Sequence, residues 1–525
     1  MLSSSPISRT LRTSKRLAPL VIGAGLVMVL ASCTVANSGG SGGGGEAGSL
    51  LRVVLPQEPP TLEPCEGSLT STGIVTRSNI TEPLVERNPT SGELEPLLAT
   101  EWEATGDTEW TFTLRDDVTF SDGSPFTAAS AAFAIDRAVN SDLGCNIEGY
   151  VFGDDDLVVE AVDDTTLTVT TVRPDPILPL RLSFVEIVPE STSATEKVRE
   201  PIGTGPYSIA SWDTGTKLTL DRNETYWGDA PAYASTEYQW RAEGTVRAAM
   251  VTSGEADVAV GLSPDDGAGD HGVSYANNET VALRMSGDLP PLDDIRVRQA
   301  INYAIDNTGI IDSLYTDDTK AAAQLIPSGV VGFNDELEPW AYDVDEAKAL
   351  IEEARADGVP VDEEITLVAR NAMFPKITEM AQVLQEELSQ IGLNVKLSMV
   401  DTSQSLVYQL RPFVLDEGPI VQLIQHGNQA GDAQFSVDQY MTSTGAQSTF
   451  GTAEFDAMLE AAGQLSGDER AAAYEEIFAY QNENVVQFAT IAHMVGEIAL
   501  APTVTYTPDA ATGDEIRLAD FSPVS

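Results

Sequence analysis

Residues 377–399 read ITEMAQVLQEELSQIGLNVKLSM, and this stretch decides the fold class. Apolar residues recur at helical spacing from Ile377 to Ile391, as they do on the buried face of an amphipathic helix. Gly392 is a typical helix-ending residue, and apolar and polar residues then alternate as far as Met399, as in a half-buried strand. A helix that leads directly into a strand indicates an α/β fold.

The rest of the chain repeats these two patterns without an internal repeat. Strands are predicted at residues 51–55, 110–114, 167–169 and 218–220, and helices at 127–139, 297–305, 343–358 and 474–481. Thr127 is expected to cap its helix, and Asp343 with Glu346 is expected to form a capping box. The chain is therefore predicted to be mixed α/β throughout.

Length and charge limit the classes of function. The 525 residues suggest about three domain-sized units. Asp and Glu number 81 against 29 Lys and Arg, which gives a formal net charge of −52. Such an excess repels phosphate backbones, and no Lys/Arg cluster in the body of the chain offsets it. Nucleic acid is therefore excluded as a partner.

The first residues have the pattern of a secretory leader. Arg9, Arg12, Lys15 and Arg16 precede an apolar stretch at 17–31, and no acid interrupts them. That stretch is shorter than the roughly 20 residues that a membrane-spanning helix needs. Removal of residues 1–32 would leave a mature chain four charge units more negative than the full sequence.

The leader ends in a run that resembles the bacterial lipobox. Residues 30–33 read LASC, which predicts lipidation of Cys33 and cleavage before it; the alternative is an ordinary buried cysteine. Glycine and serine dominate the following residues, so 33–49 are predicted to be a flexible tether. The resemblance implies an extracytoplasmic protein, anchored by lipid to the outer face of the cell membrane.

Two cysteines remain once Cys33 is set aside. Cys65 and Cys145 would then form an even pair in a compartment that tolerates disulfides, so we predict a bridge between them. Two separate buried thiols are the alternative.

Catalytic and metal-binding motifs are missing from the sequence. The three histidines, at 271, 426 and 493, are far apart, and no HExxH, CxxC or P-loop motif occurs. The literal GxSxG at 39–43 lies in the tether, without the strand and helix that a nucleophile elbow needs. The acidic runs at 154–156 and 265–270 lack the spacing of a calcium loop. We therefore expect no enzyme activity, no cofactor and no metal site.

Several segments together resemble one family, the extracellular solute-binding proteins of family 5, which are the dipeptide- and oligopeptide-binding components of ABC importers. The segments are 81–102 (TEPLVERNPTSGELEPLLATEW), 110–127 (WTFTLRDDVTFSDGSPFT), 201–207 (PIGTGPY), 222–228 (RNETYWG), 254–257 (GEAD) and 291–306 (PLDDIRVRQAINYAID). Each is weak by itself, but they occur in the family's order across nearly all of residues 50–500.

The resemblance implies a periplasmic-binding-protein-like α/β fold of two lobes (type II, cluster C) with an extra subdomain. Lobe I would comprise residues 50–87, 200–290 and 490–525; the subdomain, 88–199; and lobe II, 291–489. A hinge between the lobes would close them over a ligand. The glycines at 203 and 205 are expected to allow tight turns where the chain passes between lobes.

The resemblance also suggests where the ligand binds. Peptide-binding members carry a segment W-x-x-D-Y-x-(D/E)-P whose first Asp pairs with the ammonium of the peptide. In this chain His426 falls at the Trp and Gln429 at that Asp. A neutral amide offers no counter-charge, unless Asp432 substitutes for it. The candidate ligand contacts are Thr61, Trp240, Arg370, Asn371, Gln425, His426, Asn428, Gln429 and Asp432.

The predicted function is capture of a small solute, with a peptide favoured, and its delivery to a membrane permease with an ATPase. A sugar or glycoside is an alternative ligand, because the stretch at 425–432 is polar and rich in amides. A sensory or chaperone lipoprotein on the same scaffold is the alternative from another class. The protein is expected to be a monomer that contacts the membrane only through its lipid.

Overall fold

The computed structural model describes residues 49–67, 70–88, 91–145, 147, 151–153, 156–371, 373–411, 413, 418–508 and 515–524. The predicted leader, lipidated Cys33 and all of the tether except Ser49 lie outside the described residues. The described secondary-structure elements belong to one compact unit.

The described chain contains 19 strands. They are β1 (Leu50–Leu55), β2 (Val85–Arg87), β3 (Leu94–Pro96), β4 (Ala99–Ala104), β5 (Glu109–Leu114), β6 (Val158–Ala161), β7 (Thr166–Thr170), β8 (Tyr207–Asp213), β9 (Lys217–Arg222), β10 (Ser235–Trp240), β11 (Val258–Leu262), β12 (Gly272–Met285), β13 (Lys320–Ala321), β14 (Glu364–Arg370), β15 (Asn394–Val400), β16 (Ile420–Gly427), β17 (Phe488–Leu500), β18 (Val504–Thr505) and β19 (Ser522–Pro523).

The helices are α1 (Thr70–Thr76), α2 (Ala128–Ile135), α3 (Leu178–Leu182), α4 (Gly244–Ser253), α5 (Ile295–Ala304), α6 (Asn307–Leu314), α7 (Val344–Ala356), α8 (Ile377–Gln390), α9 (Thr402–Gln409), α10 (Gln434–Tyr440), α11 (Ala453–Gly463) and α12 (Gly467–Tyr480). Within the described residues, none of them is both long and apolar enough to cross a membrane.

One large sheet runs through the molecule in the order β15-β14-β16-β12-β17-β11-β1-β10-β9-β8, with β13 beside β17. The half that contains β14–β16 is called lobe II below, and the half that contains β1 and β8–β11 is called lobe I. A four-stranded sheet in the order β4-β5-β7-β6 forms the subdomain. The two-lobe α/β fold is confirmed, whereas the boundaries given above stay a prediction.

The long strands β12 and β17 join the two lobes. They pair antiparallel from Gly272 opposite Ala499 to Arg284 opposite Phe488. Leu283 packs in the core of lobe II, whereas Ile498 packs in the core of lobe I. The pairing shifts register between Ala276 and Thr280. An irregularity of this kind loosens the ladder locally, so the strand pair has the form expected of a hinge.

The helix–strand unit at 377–399 is confirmed. Ile377, Met380 and Leu384 on α8 are buried in the lobe II core. Gly392 has φ +93°, which suits a glycine directly after a helix. β15 then pairs in parallel with β14. The local pattern therefore placed both elements correctly.

Two local expectations need correction. Asp343 caps α7 by accepting a hydrogen bond from the amide of Glu346 (3.0 Å), but the capping box is not completed, because the Asp343 amide donates to the carbonyl of Tyr303 (2.9 Å). Gly203 and Gly205 are required by close backbone packing rather than by turns. A Cβ on Gly203 would lie 2.0 Å from the carbonyl oxygen of Ile80.

A disulfide lies in the hydrophobic core beneath the subdomain sheet. Cys65 and Cys145 have an S–S distance of 2.08 Å and a Cα–Cα distance of 5.3 Å, and both residues are buried. The structure therefore contains the bridge rather than two separate thiols.

Candidate functional site

The predicted ligand contacts lie at the carboxyl ends of parallel strands. Trp240 ends β10, which pairs in parallel with β1, and Thr61 follows β1 in the chain. Arg370 ends β14, which pairs in parallel with β16, where Gln425 lies. In open α/β sheets this edge is where ligands bind. The structure thus divides the candidates into a lobe I group and a lobe II group.

An ion pair shows that the two edges face each other. The Lys376 Nζ of lobe II lies 2.5 Å from the Asp265 carboxylate of lobe I. Asp265 follows β11, and Lys376 ends the loop that begins at Arg370. Both side chains are partly exposed, so this contact lies at the rim of the space between the lobes.

The guanidinium of Arg370 is not paired with any acidic group in the described part of the chain. The side chain is half-buried, and no hydrogen bond or ion pair joins it to any residue that the structure describes. Asn371 beside it is exposed and is held by its backbone amide, which donates to the carbonyl of Val400 (2.8 Å). An ordered site for an anionic ligand group needs a cation that the protein has not already neutralised, and Arg370 meets that requirement.

His426 is used inside lobe II. Its ring is buried, its Nε2 lies 2.6 Å from the Ser436 hydroxyl, and its centroid lies 4.7 Å from that of Tyr440. Burial lowers the pKa of His426 to about 4, so the ring is neutral at pH 7. The Asn428 amide, also buried, donates to the Ser436 hydroxyl (2.8 Å) and to the carbonyl of Asp432 (2.9 Å). Both side chains therefore shape the loop from within.

Asp432 is fully engaged in a buried ion pair. Arg470 donates from Nε (2.7 Å) and Nη2 (2.8 Å) to its two carboxylate oxygens, and each side chain is only 3% exposed. A carboxylate already paired in this way offers little to an incoming ammonium. Substitution of Asp432 for Gln429 as an ammonium partner would require this pair to open.

Gln425 and Gln429 stay half-buried at the end of β16. The Gln425 side-chain amide donates to the carboxylate of Glu279, a residue of β12 in the hinge region. Gln429 lines a small pocket that also contains Glu86, Arg87 and Arg517. Sequence reasoning missed Arg87, whose Nη1 donates to the Gln429 carbonyl (2.7 Å) from 342 positions away in the chain.

Glu86 lines this pocket, and two buried carboxyl groups, those of Glu82 and Glu186, lie near it. Burial raises the pKa of Glu82 and of Glu86 to about 7 and that of Glu186 to about 8. Glu86 faces Arg517 at 2.8 Å, and Glu186 faces Arg77 at 3.5 Å. No periodic pattern in the sequence distinguishes these acids from the many exposed ones.

A larger cavity of about 730 Å³ lies between the subdomain and lobe II. Phe152, Arg173 and Arg181 line it from the subdomain, and Gln434, Asp438 and Asp456 line it from lobe II. It contains none of the nine predicted ligand contacts. In the described part of the chain, no group of three or more His, Cys, Asp or Glu side chains is arranged to hold a metal ion.

Comparison with known proteins agrees with this geometry. The sequence profile of the bacterial extracellular solute-binding proteins, family 5, matches residues 93–451. The nickel-binding periplasmic protein of Escherichia coli is 30% identical over 363 residues, which are 63% of this chain and 67% of that protein. The dipeptide-binding protein of the same organism is 28% identical over 347 residues, 60% of this chain and 65% of that protein.

A solved structure extends the likeness over most of the described fold. NikA from Brucella suis in complex with Fe(III)-EDTA superposes with a TM-score of 0.79 at 25% identity, over 90% of this chain and all of the other. The ordered motifs, the two lobes joined by a strand pair and the profile match over more than half of the chain lead to one conclusion. The chain belongs to the bacterial extracellular solute-binding proteins of family 5.

Proposed function

We propose that this protein is a lipid-anchored, extracytoplasmic binding component of an ABC importer, which captures a small peptide between its lobes and delivers it to a permease with an ATPase. The family supports binding rather than catalysis. The leader pattern and the run at 30–33 support secretion and lipidation of Cys33. A lipid-anchor test is simple: Cys33→Ser should release the protein from the membrane fraction into the medium or periplasm.

Arg370 is the observation that carries the proposal. It is a half-buried cation without a partner among the described residues, in a chain with 81 acidic and 29 basic side chains. It lies at the carboxyl end of β14, on the edge that the Lys376–Asp265 pair brings against lobe I. We assign to it the carboxylate of the ligand, because a guanidinium binds a carboxylate through two charge-assisted hydrogen bonds.

The candidate contacts offer little negative charge to the ammonium group of a peptide. Gln429 carries no charge, and Asp432 is paired with Arg470. We therefore expect the ligand carboxylate to matter more for affinity than its free amine. Gln429→Asp should improve binding of peptides with a free amine, and an unchanged affinity would show that the ammonium lies elsewhere.

Relatives broaden the set of ligands to be tested. One is named for dipeptides and another for nickel. Since no three-ligand cluster occurs in the described residues, a nickel–amino acid complex, whose carboxylate could contact Arg370, fits better than the bare ion. Sugars are retained because the stretch at 425–432 is polar and rich in amides.

Thermal unfolding of residues 49–525 tests the proposal. The panel is trialanine, its C-terminal amide, its N-acetyl derivative, maltotriose, Ni²⁺ and Ni²⁺ with histidine. A ligand at 100 times its Kd should stabilise the protein by about 2.7 kcal/mol. Trialanine and N-acetyl-trialanine should stabilise the protein, whereas the C-terminal amide should not.

Arg370→Gln should weaken peptide binding by about 1.5–3 kcal/mol, which is roughly 10- to 150-fold in Kd. Lys348→Gln is the control, because it removes an exposed lysine on α7 that is not one of the candidate contacts. Equal binding of the peptide acid and its amide would refute the role of Arg370. If no member of the panel raises the unfolding temperature, a sensory or chaperone function becomes the better-supported alternative.

A further inference from the structure

Arg87 connects the subdomain side of the molecule to the loop at 428–432. It ends β2 and is 5% exposed. Its Nε donates to the carbonyl of Gly92 (3.0 Å), and its Nη1 donates to the carbonyl of Gln429 in lobe II (2.7 Å). One guanidinium thus spans two parts of the fold that are remote in sequence.

The loop backbone is fitted directly onto this guanidinium. Gly431 has φ +73°, and a Cβ added there would lie 2.0 Å from Nη2 of Arg87. Only glycine satisfies both the backbone conformation and the contact. The absence of a side chain at 431 is therefore tied to the presence of arginine at 87.

Apolar contacts accompany the polar one. Ala430 and Phe435, both of lobe II, are buried in the hydrophobic core of the subdomain. The ring of Phe435 lies 5.9 Å from that of Phe184, a subdomain residue. Movement of lobe II about β12 and β17, away from the subdomain, would expose Ala430 and Phe435 and would break the Arg87 bond.

The main chain at Arg87 is held by Arg517, whose neighbours Ile516 and Leu518 pack in the core of lobe I. Arg517, near the end of the chain, donates from Nη2 to the carbonyl of Arg87 (2.9 Å), and its Nη1 lies 2.8 Å from the carboxylate of Glu86. The guanidinium of Arg87 is therefore presented from a fixed strand end, while the loop that it contacts belongs to the other lobe.

From this geometry we infer that Arg87 is a positioning residue: it holds the loop at 428–432 docked against the subdomain, and so sets the place of Asn428 and Gln429 in the closed cleft. The inference rests on the proposed function, since it assigns a role in solute binding. It concerns how the ligand loop is held and adds no ligand contact of its own.

The docked state can be measured without a ligand. Spin labels at Val172→Cys in the subdomain and Val383→Cys on α8, which are 71% and 37% exposed, report the distance between the subdomain and lobe II. The protein of residues 49–525 suits this measurement, because both of its native cysteines are in the disulfide. Hydrogen exchange of the amides at 428–433 reports the loop itself.

Arg87→Gln should add a population of longer distance and speed exchange of these amides at least tenfold. Arg87→Lys should do so more weakly. The control is Arg298→Lys, which alters another buried arginine that donates to carbonyls, at Leu292, Val485 and Val486 inside lobe II. This control should leave the subdomain–lobe II distance unchanged, although it lowers stability.

A second pair of variants covers the case in which Arg87→Gln does not fold. Gly431→Ala places a methyl against Arg87, whereas Gly358→Ala introduces the same kind of strained φ (+90°) with no atom within 4 Å. Only the first should lengthen the distance and release the loop.

The outcomes separate the two claims. Unchanged distances and exchange in Arg87→Lys and Gly431→Ala would overturn the inference, as would an unaltered protein that already shows only the long distance. A docked loop that depends on Arg87, in a protein that binds nothing in the solute panel, would instead refute the proposed function.

Discussion

Opening the Cys65–Cys145 disulfide is predicted to destabilise the subdomain strongly. The bridge closes a loop of 80 positions in the sequence. In the chain-entropy description, a closed loop of that length lowers the entropy of the unfolded chain by about 15 cal/mol/K, or about 4.5 kcal/mol at 25 °C. The expected loss of unfolding free energy on reduction is therefore about 4.5 kcal/mol, in the transition that involves the subdomain.

Urea unfolding of residues 49–525 would measure this loss. One sample is kept oxidised, and the other is unfolded and refolded in the presence of a phosphine reductant, since both cysteines are buried and resist reduction in the native state. Cys65→Ala combined with Cys145→Ala is the control, because its unfolding should not respond to the reductant. The protein has several cores, so unfolding is followed separately by probes in the subdomain and in lobe II.

Two results would refute the reasoning. Labelling of two thiols in the denatured, unreduced protein would show that the bridge does not form. A fully reduced protein that unfolds within 1 kcal/mol of the oxidised one would show that loop closure does not determine the stability of this region.

Three further predictions concern charged groups. Asp432→Asn leaves Arg470 buried without its partner and should cost about 3–5 kcal/mol by denaturant unfolding; a loss below 1 kcal/mol would contradict the buried pair. Burial raises the pKa of Glu186 to about 8, so the folded state binds an extra proton between pH 5 and 8, and this group's contribution to stability falls as pH rises. The melting temperature of Glu186→Gln relative to the native protein should therefore increase from pH 5 to pH 9, and a constant difference would rule this out. Lys376→Glu and Asp265→Lys should each weaken solute binding a few-fold at low salt, and the double reversal should restore it; additive losses would show that the pair does not hold the lobes together.

Helix caps and the buried faces of strands could be predicted from the sequence. Thr127 accepts a hydrogen bond from the amide of Ser130 at the start of α2, and Asp343 caps α7 through the amide of Glu346 (3.0 Å). Alternation at 110–114 corresponds to β5, with Phe112 fully buried. These predictions held because helix caps and period-two burial depend on residues within a few positions of one another.

Long-range contacts were not readable in the same way. The sequence marked Asp432 as a spare carboxylate, but Asp432 precedes α10 while its partner Arg470 lies on α12, and only the folded packing of α12 brings the two together. His426 was predicted to contact the ligand. Its ring is instead buried within lobe II, at hydrogen-bonding distance from the Ser436 hydroxyl. Arg370 was named from its family position, and only the folded structure shows that its side chain has no partner among the described residues.

The strand pair that joins the lobes has a consequence for how the chain can be divided. β12 has β16 on one side and β17 on the other, and β17 in turn borders β11. A cut between residues 285 and 291 would separate β12 from β16 and β17, and β17 from β11, so each fragment would keep a long strand with an open edge. Such open edges recruit other chains, so the two halves should aggregate when they are produced separately and fold when they are produced together. The shared sheet therefore predicts that neither lobe folds as an independent unit.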